Sequence, residues 1–151
     1  VAVMALCEAA AYYKSKGITL CERMQNLYQK YGFYKESLFF QTFQGMEGKA
    51  KIDGLMDALR NEPPKQVGPF KVTALEDYKK SIRTDIATGE TSALTLPESN
   101  VLYFELEDGA WFCVRPSGTE PKIKYYAGVK GADAQDAEDK LEALSKAVVE
   151  L

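Results

Sequence analysis

Arg115-Pro116-Ser117-Gly118-Thr119-Glu120-Pro121 is the stretch of this chain whose residue types are best suited to chemistry. Arg115 offers a planar fork that can hold two oxygens of one phosphate at once. Ser117 and Thr119 each add a hydroxyl donor. Gly118 has no Cβ, so backbone N–H groups around it can approach an anion closely, and it is free to adopt a positive φ. The two prolines stiffen the flanks and lower the ordering cost of binding. From 115 to 130 the charged residues are Arg115, Lys122, Lys124 and Lys130 against Glu120 alone, in a chain whose net charge is -3. A local excess of positive charge around a loop of this composition suits a phosphate group. The alternative is a proline-braced surface loop whose Arg115 pairs with Glu120.

The remaining composition excludes more than it specifies. There is no histidine, which removes Ser-His-Asp triads, Cys-His dyads and H-E-x-x-H metal sites. Cys7, Cys21 and Cys113 are far apart and form no C-x-x-C pair. They point to a reducing compartment and to packing roles rather than to a disulfide framework or a zinc site. The negative net charge gives no general attraction to nucleic acid or to an anionic membrane. No apolar run approaches the roughly 20 residues needed to span a bilayer. The apolar start, residues 1–8, lacks a basic region and carries Glu8, so it does not read as a signal peptide.

Several elements must position the loop. Residues 1–15 are apolar on nearly every helical face, which predicts a helix buried on all sides and reads as the cut end of a larger protein, with Gly17 as its stop. Thr19 and Glu22 form a capping box ahead of Leu20, Met24, Leu27, Tyr28 and Tyr31 at helical spacing, and Gly32 ends that run. A strand is expected over 33–43 and a helix over 46–61, stopped by Pro63-Pro64. A short strand is expected over 67–74, with Pro69 placing it at an edge. Residues 79–100 are expected to be a long polar loop, and Gly89-Glu90-Thr91-Ser92 within it a turn. Residues 101–107 and 110–114 flank Asp108-Gly109, the preferred type I′ turn pair. A two-residue turn there would pair Leu106 with Trp111 and Phe104 with Cys113 on one face. A strand over 122–129 follows the loop. The final helix carries Ala137, Leu141, Leu144, Val148 and Leu151 on one stripe, and its acidic residues read as a solvated face. The fold class is α+β, with helices on one face of a mainly antiparallel sheet.

The run from Val101 through Val129, with V-R-P-S-G-T-E-P-K-I-K-Y-Y at its centre, resembles the C-terminal domain of the α-D-phosphohexomutases. The K-I-K-Y-Y continuation is more similar to the phosphoglucomutase/phosphomannomutase branch than to phosphoglucosamine mutase, which stays an alternative. An independent anion-binding or protein-interaction module is another. The resemblance extends outward: residues 1–32 resemble the helices that close the family's third domain, and 33–151 resemble most of its fourth, a TATA-box-binding-protein-like fold. It implies an enzyme that interconverts hexose 1-phosphate and 6-phosphate through a hexose 1,6-bisphosphate. A phosphoserine loop, a Mg²⁺-binding aspartate loop and a sugar-reading G-E-E-S-G loop belong to the other domains, and none is found in this chain. By residue match, Arg115, Ser117, Gly118 and Thr119 would bind the substrate phosphate that is not reacting. The resemblance implies no catalytic residue, no metal ligand and no cofactor bound by this part, and an isolated fragment without mutase activity. Its partners would be the phosphosugar and the other domains of the same polypeptide, in the cytoplasm, with neither nucleic acid nor membrane involved.

Overall fold

Alternating apolar and polar residues carry much of this chain into strands, and the computed structural model describes residues 1–43 and 46–151. The elements are α1 (Ala2–Ser15), α2 (Leu20–Tyr31), β1 (Phe33–Thr42), α3 (Met46–Asn61), β2 (Gln66–Val67), β3 (Phe70–Asp77), β4 (Ile82–Asp85), β5 (Thr91–Ala93), β6 (Leu102–Leu106), β7 (Trp111–Pro116), β8 (Lys122–Gly131) and α4 (Ala134–Val149). Among the described residues the strands form one antiparallel sheet of eight. Its order is β1-β8-β7-β6-β3-β4-β5, with β2 paired to β3.

The core lies on one face of that sheet. Phe104, Phe112, Val114, Ile123, Tyr125 and Ala127 point to it from the central strands, and Phe104 stacks on Phe112 with ring centroids 4.4 Å apart. Ile52, Met56 and Leu59 of α3 and Leu141, Leu144 and Val148 of α4 close the layer. Their spacing is that of one helical stripe. Asp133 caps α4, its carboxylate accepting from the N–H groups of Gln135 and Asp136. Leu151 falls beyond the helix and is 40% exposed, so it does not extend the stripe.

The central hairpin departs from the expected register. Asp108 and Gly109 both have positive φ, and the Ala110 N–H donates to the Glu107 carbonyl, as a type I′ turn requires. The ladder, however, resumes one residue out of step, with the Leu106 N–H donating to Ala110 O. Phe104 therefore faces Phe112, Tyr103 faces Cys113 and Glu105 faces Trp111. The extra residue, Glu107, lets Leu102, Phe104 and Leu106 join Ala110, Phe112 and Val114 in the core. A plain two-residue turn would have put Cys113 and Trp111 there instead, and burial decides register.

Two further expectations are corrected. The 79–100 segment is not a loop throughout, because it contains β4 and β5. Gly89 does sit in a turn (φ +74°), where Asp85 accepts from the N–H groups of Ala87 and Thr88, but Thr91 and Ser92 belong to β5. Pro69 does not mark an edge. It lies in the turn between β2 and β3, before the ladder needs an N–H, and β3 runs inside the sheet between β4 and β6. Within this chain α1 buries no residue: Val3 is 76% and Met4 77% exposed. Its all-round apolar composition promised burial that no described part of the chain supplies.

The stops and caps around α1 and α2 form as their residues dictate. Gly17 donates to Lys14 O and Ile18 to Tyr13 O, the paired bonds of a Schellman end. Thr19 and Glu22 make both bonds of the capping box, Glu22 N–H to Thr19 Oγ1 at 3.1 Å and Thr19 N–H to Glu22 Oε2 at 2.8 Å. Thr19→Ala should cost α2 about 0.5–2 kcal/mol. The check is amide exchange across residues 20–31, where protection should fall while the sheet is unaffected. Unchanged exchange would mean that the cap carries no weight in solution.

On the sheet face away from α3 and α4, Arg83 reaches across β3 to Glu105, Nε to Oε1 at 2.8 Å and Nη2 to Oε2 at 2.9 Å. The guanidinium holds the Glu105 carboxyl below its ordinary value of 4.5. A carboxylate with a lowered folded value contributes its stability above the unfolded value and loses it as pH falls through the folded one. Glu105→Gln should therefore lower stability at neutral pH and flatten the acid limb of the denaturation profile below pH 4.5. An unchanged acid limb would show that the pair does not titrate with folding. Among the described residues no helix is long and apolar enough to cross a membrane.

Candidate phosphate-binding groove

β7 and β8 deliver the loop, and their pleat decides what faces where. Phe112 and Val114 point into the core, so Cys113 and Arg115 point to the opposite face. The pairing of Arg115 with Lys124 sets two cations side by side at the mouth of the loop. Its base is closed by the Ser117 N–H donating to Lys122 O at 2.7 Å, and Lys122 N–H donates to Glu120 O at 2.8 Å. The Phe43 N–H donates to Pro121 O at 2.9 Å and ties the loop to the end of β1.

Glu120 does not pair with Arg115. Its carboxylate meets Lys122 Nζ at 2.9 Å, and this contact lowers its pKa from the usual value. Lys122 Nζ also lies over the Phe40 ring, 4.5 Å from the centroid. The loop's single acid is therefore neutralised locally. The Arg115 guanidinium stays exposed and takes part in no ion pair among the described residues. A free, planar, permanently charged fork in a loop that also carries two hydroxyls is suited to gripping a tetrahedral oxyanion. Neighbouring Cys113 supplies no nucleophile, because burial pushes its thiol up to about 11 despite the charge on Arg115.

Ser117, Gly118 and Thr119 line a groove of about 320 Å³, and Arg115, Ser117 and Gly118 line an adjoining one of about 520 Å³. Ser117 and Gly118 border both grooves, Thr119 only the smaller and Arg115 only the larger. Gly118 does not use a positive φ, contrary to one of the two roles expected of it. A Cβ built there meets nothing within 4 Å, so the chain's own packing does not demand glycine. What the missing side chain leaves open is approach to the loop from outside.

Sequence reasoning missed the opposite wall. Lys49 and Asp53 of α3 border both grooves, and Asn100, just before β6, borders the larger. Asn100 is held by Arg60, whose Nη2 donates to its Oδ1 at 2.9 Å. Arg60 is buried and also donates from Nε to Asp77 Oδ2 at 2.9 Å and from Nη1 to Asp57 Oδ1 at 3.0 Å. No local pattern announces these partners, because tertiary folding alone brings α3, β3 and residue 100 together. Among the described residues no group of three or more His, Cys, Asp or Glu side chains is arranged to hold a metal.

The phosphoglucomutase of Staphylococcus aureus (strain MRSA252) is 38% identical over 135 residues, 89% of this chain and 24% of that protein. The phosphoglucomutase of Staphylococcus epidermidis (strain ATCC 12228) is 38% identical over 120 residues, 80% of this chain and 22% of that protein. The chain thus spans about a quarter of the length of these relatives. Among solved structures, the open form of the exocytosis-sensitive phosphoprotein pp63/parafusin (a phosphoglucomutase) from Paramecium shares the fold. Its TM-score is 0.53 at 17% identity, over 98% of this chain and 25% of that one. The family model for the phosphoglucomutase/phosphomannomutase C-terminal domain matches residues 55–146, a span that takes in β7, the whole Arg115–Pro121 loop and β8. With the loop, both its strands and most of α4 inside that match, the chain belongs to the phosphoglucomutase/phosphomannomutase family, of which it carries the C-terminal domain.

Proposed function

We propose that this chain is the C-terminal part of a mutase that interconverts hexose 1-phosphate and 6-phosphate, and that its loop grips the phosphate which is not reacting. The observation that carries the reading is Arg115: an exposed guanidinium, free of Glu120, at the edge of a groove bordered by Ser117 and Gly118, which also border the neighbouring groove lined by Thr119. In such a reaction the bisphosphate must turn end for end between two transfers. A site that recognises only a tetrahedral dianion accepts either end. Binding energy gained at the remote phosphate is then available at the reacting one. Closure of this domain over the sugar would exclude water that could otherwise take the phosphoryl group.

In this reading residues 1–32 close the preceding domain, which would cover the apolar surface of α1. The nucleophile, the magnesium site and the sugar-reading loop lie on the other domains, and no step assigned to this chain runs through the metal. The partners are a phosphosugar and the rest of the same polypeptide. The test is a turnover assay by ³¹P NMR with glucose 1-phosphate, catalytic glucose 1,6-bisphosphate and magnesium. The isolated 151-residue chain should give no glucose 6-phosphate, and the full-length protein should give it readily. Turnover by the isolated chain, or none by a folded full-length protein, would overturn the assignment.

A further inference from the structure

α3 turns two opposite charges toward the loop. Ile52, Met56 and Leu59 are buried, which fixes the rotation of the helix about its axis. With that rotation set, Lys49 and Asp53 border the groove from the side facing Ser117 and Gly118. They stand one helical turn apart on the same flank. Both are exposed, and neither takes part in an ion pair or a side-chain hydrogen bond among the described residues, not even with the other. The other charged residues of α3, including Glu47, Lys51 and Asp57, do not border the groove.

An ammonium and a carboxylate one turn apart on the same helix flank select for a ligand of mixed character. Lys49 is a second positive charge for a phosphate already held by Arg115. Asp53, when ionised, can only accept hydrogen bonds, so it suits a hydroxyl. We propose that α3 is the second wall of the ligand site, with Lys49 contacting the phosphate and Asp53 accepting from a hydroxyl of the same molecule. The groove thereby favours a phosphorylated polyhydroxy compound over a bare anion. This rests on the loop being a phosphate site.

The experiment is a set of amide NMR titrations of the 151-residue chain with inorganic phosphate and with glucose 6-phosphate. Wild type, Lys49→Met, Asp53→Asn and Arg115→Lys are compared, each first shown to keep the wild-type fingerprint spectrum. Lys49→Met should weaken both ligands about five-fold, the scale of a solvent-exposed ion pair. Asp53→Asn should leave inorganic phosphate bound at least as well and remove the preference for glucose 6-phosphate. If both α3 variants titrate like wild type while Arg115→Lys is weakened, the second wall is wrong and the loop reading stands. Equal tightening of both ligands by Asp53→Asn would make Asp53 a simple repulsive charge and overturn its hydroxyl role. No binding of either ligand by wild type would overturn the loop reading and this inference together.

Discussion

If the full-length protein is the proposed mutase, replacing Arg115 with lysine is expected to lower its kcat/KM about ten-fold or more. Lysine keeps the positive charge but cannot hold two phosphate oxygens with one rigid fork. In this chain the guanidinium has no carboxylate partner among the described residues, Glu120 being held by Lys122. The substitution therefore breaks no ion pair or side-chain hydrogen bond among the described residues, so a loss reports on the ligand. Losing about 1.5–3 kcal/mol of charge-assisted hydrogen bonding corresponds to roughly ten- to a hundred-fold in rate. The fall should appear with either hexose phosphate as substrate, because the same loop would serve both orientations. Unchanged kinetics would remove Arg115 from the site.

The largest expected effect on stability comes from Asp77. Its side chain and that of Arg60 are 6% and 5% exposed, and they meet at 2.9 Å. Asp77→Ala leaves a buried guanidinium with Asp57 and Asn100 as remaining side-chain partners. Removing one member of a buried pair costs about 3–5 kcal/mol, because the other charge stays behind. The urea midpoint should fall steeply while the slope of the transition is retained. The double variant Arg60→Met with Asp77→Leu should recover much of the loss, since both desolvated charges are then gone. If Asp77→Ala unfolds at the wild-type urea concentration, the pair does not hold α3 to β3. The same pair positions Asn100 at the groove, so fold and site share this anchor.

The parts legible in the sequence were those whose signal is local. The loop stands out because Arg, Ser, Gly and Thr crowd between two alternating strands. The α4 stripe from Ala137 to Val148 is a helical period of apolar residues, and it packs as one. The capping box at Thr19 and the stop at Gly17 are chemistry within a few residues. Register was less legible: Asp108-Gly109 does form its turn, but burial of Leu106 opposite Ala110 inserts Glu107 and shifts every pair by one. β4 and β5 escaped because they are short and no residue in them is fully buried, so alternation leaves little trace. The composition of α1 described a surface that needs covering without saying what covers it. Lys49, Asp53, Asn100 and the Arg60–Asp77 pair could not be read, because their meaning comes from segments that only the tertiary fold brings together.

The most direct test of the central claim is an amide NMR titration of this chain with glucose 6-phosphate, with plain glucose as the control. Shifts centred on Arg115–Lys122, saturating with the phosphorylated sugar and absent with glucose, are the result predicted. No shifts in that loop up to tens of millimolar, or equal shifts with both sugars, would contradict the assignment of Arg115, Ser117, Gly118 and Thr119 as a phosphate grip.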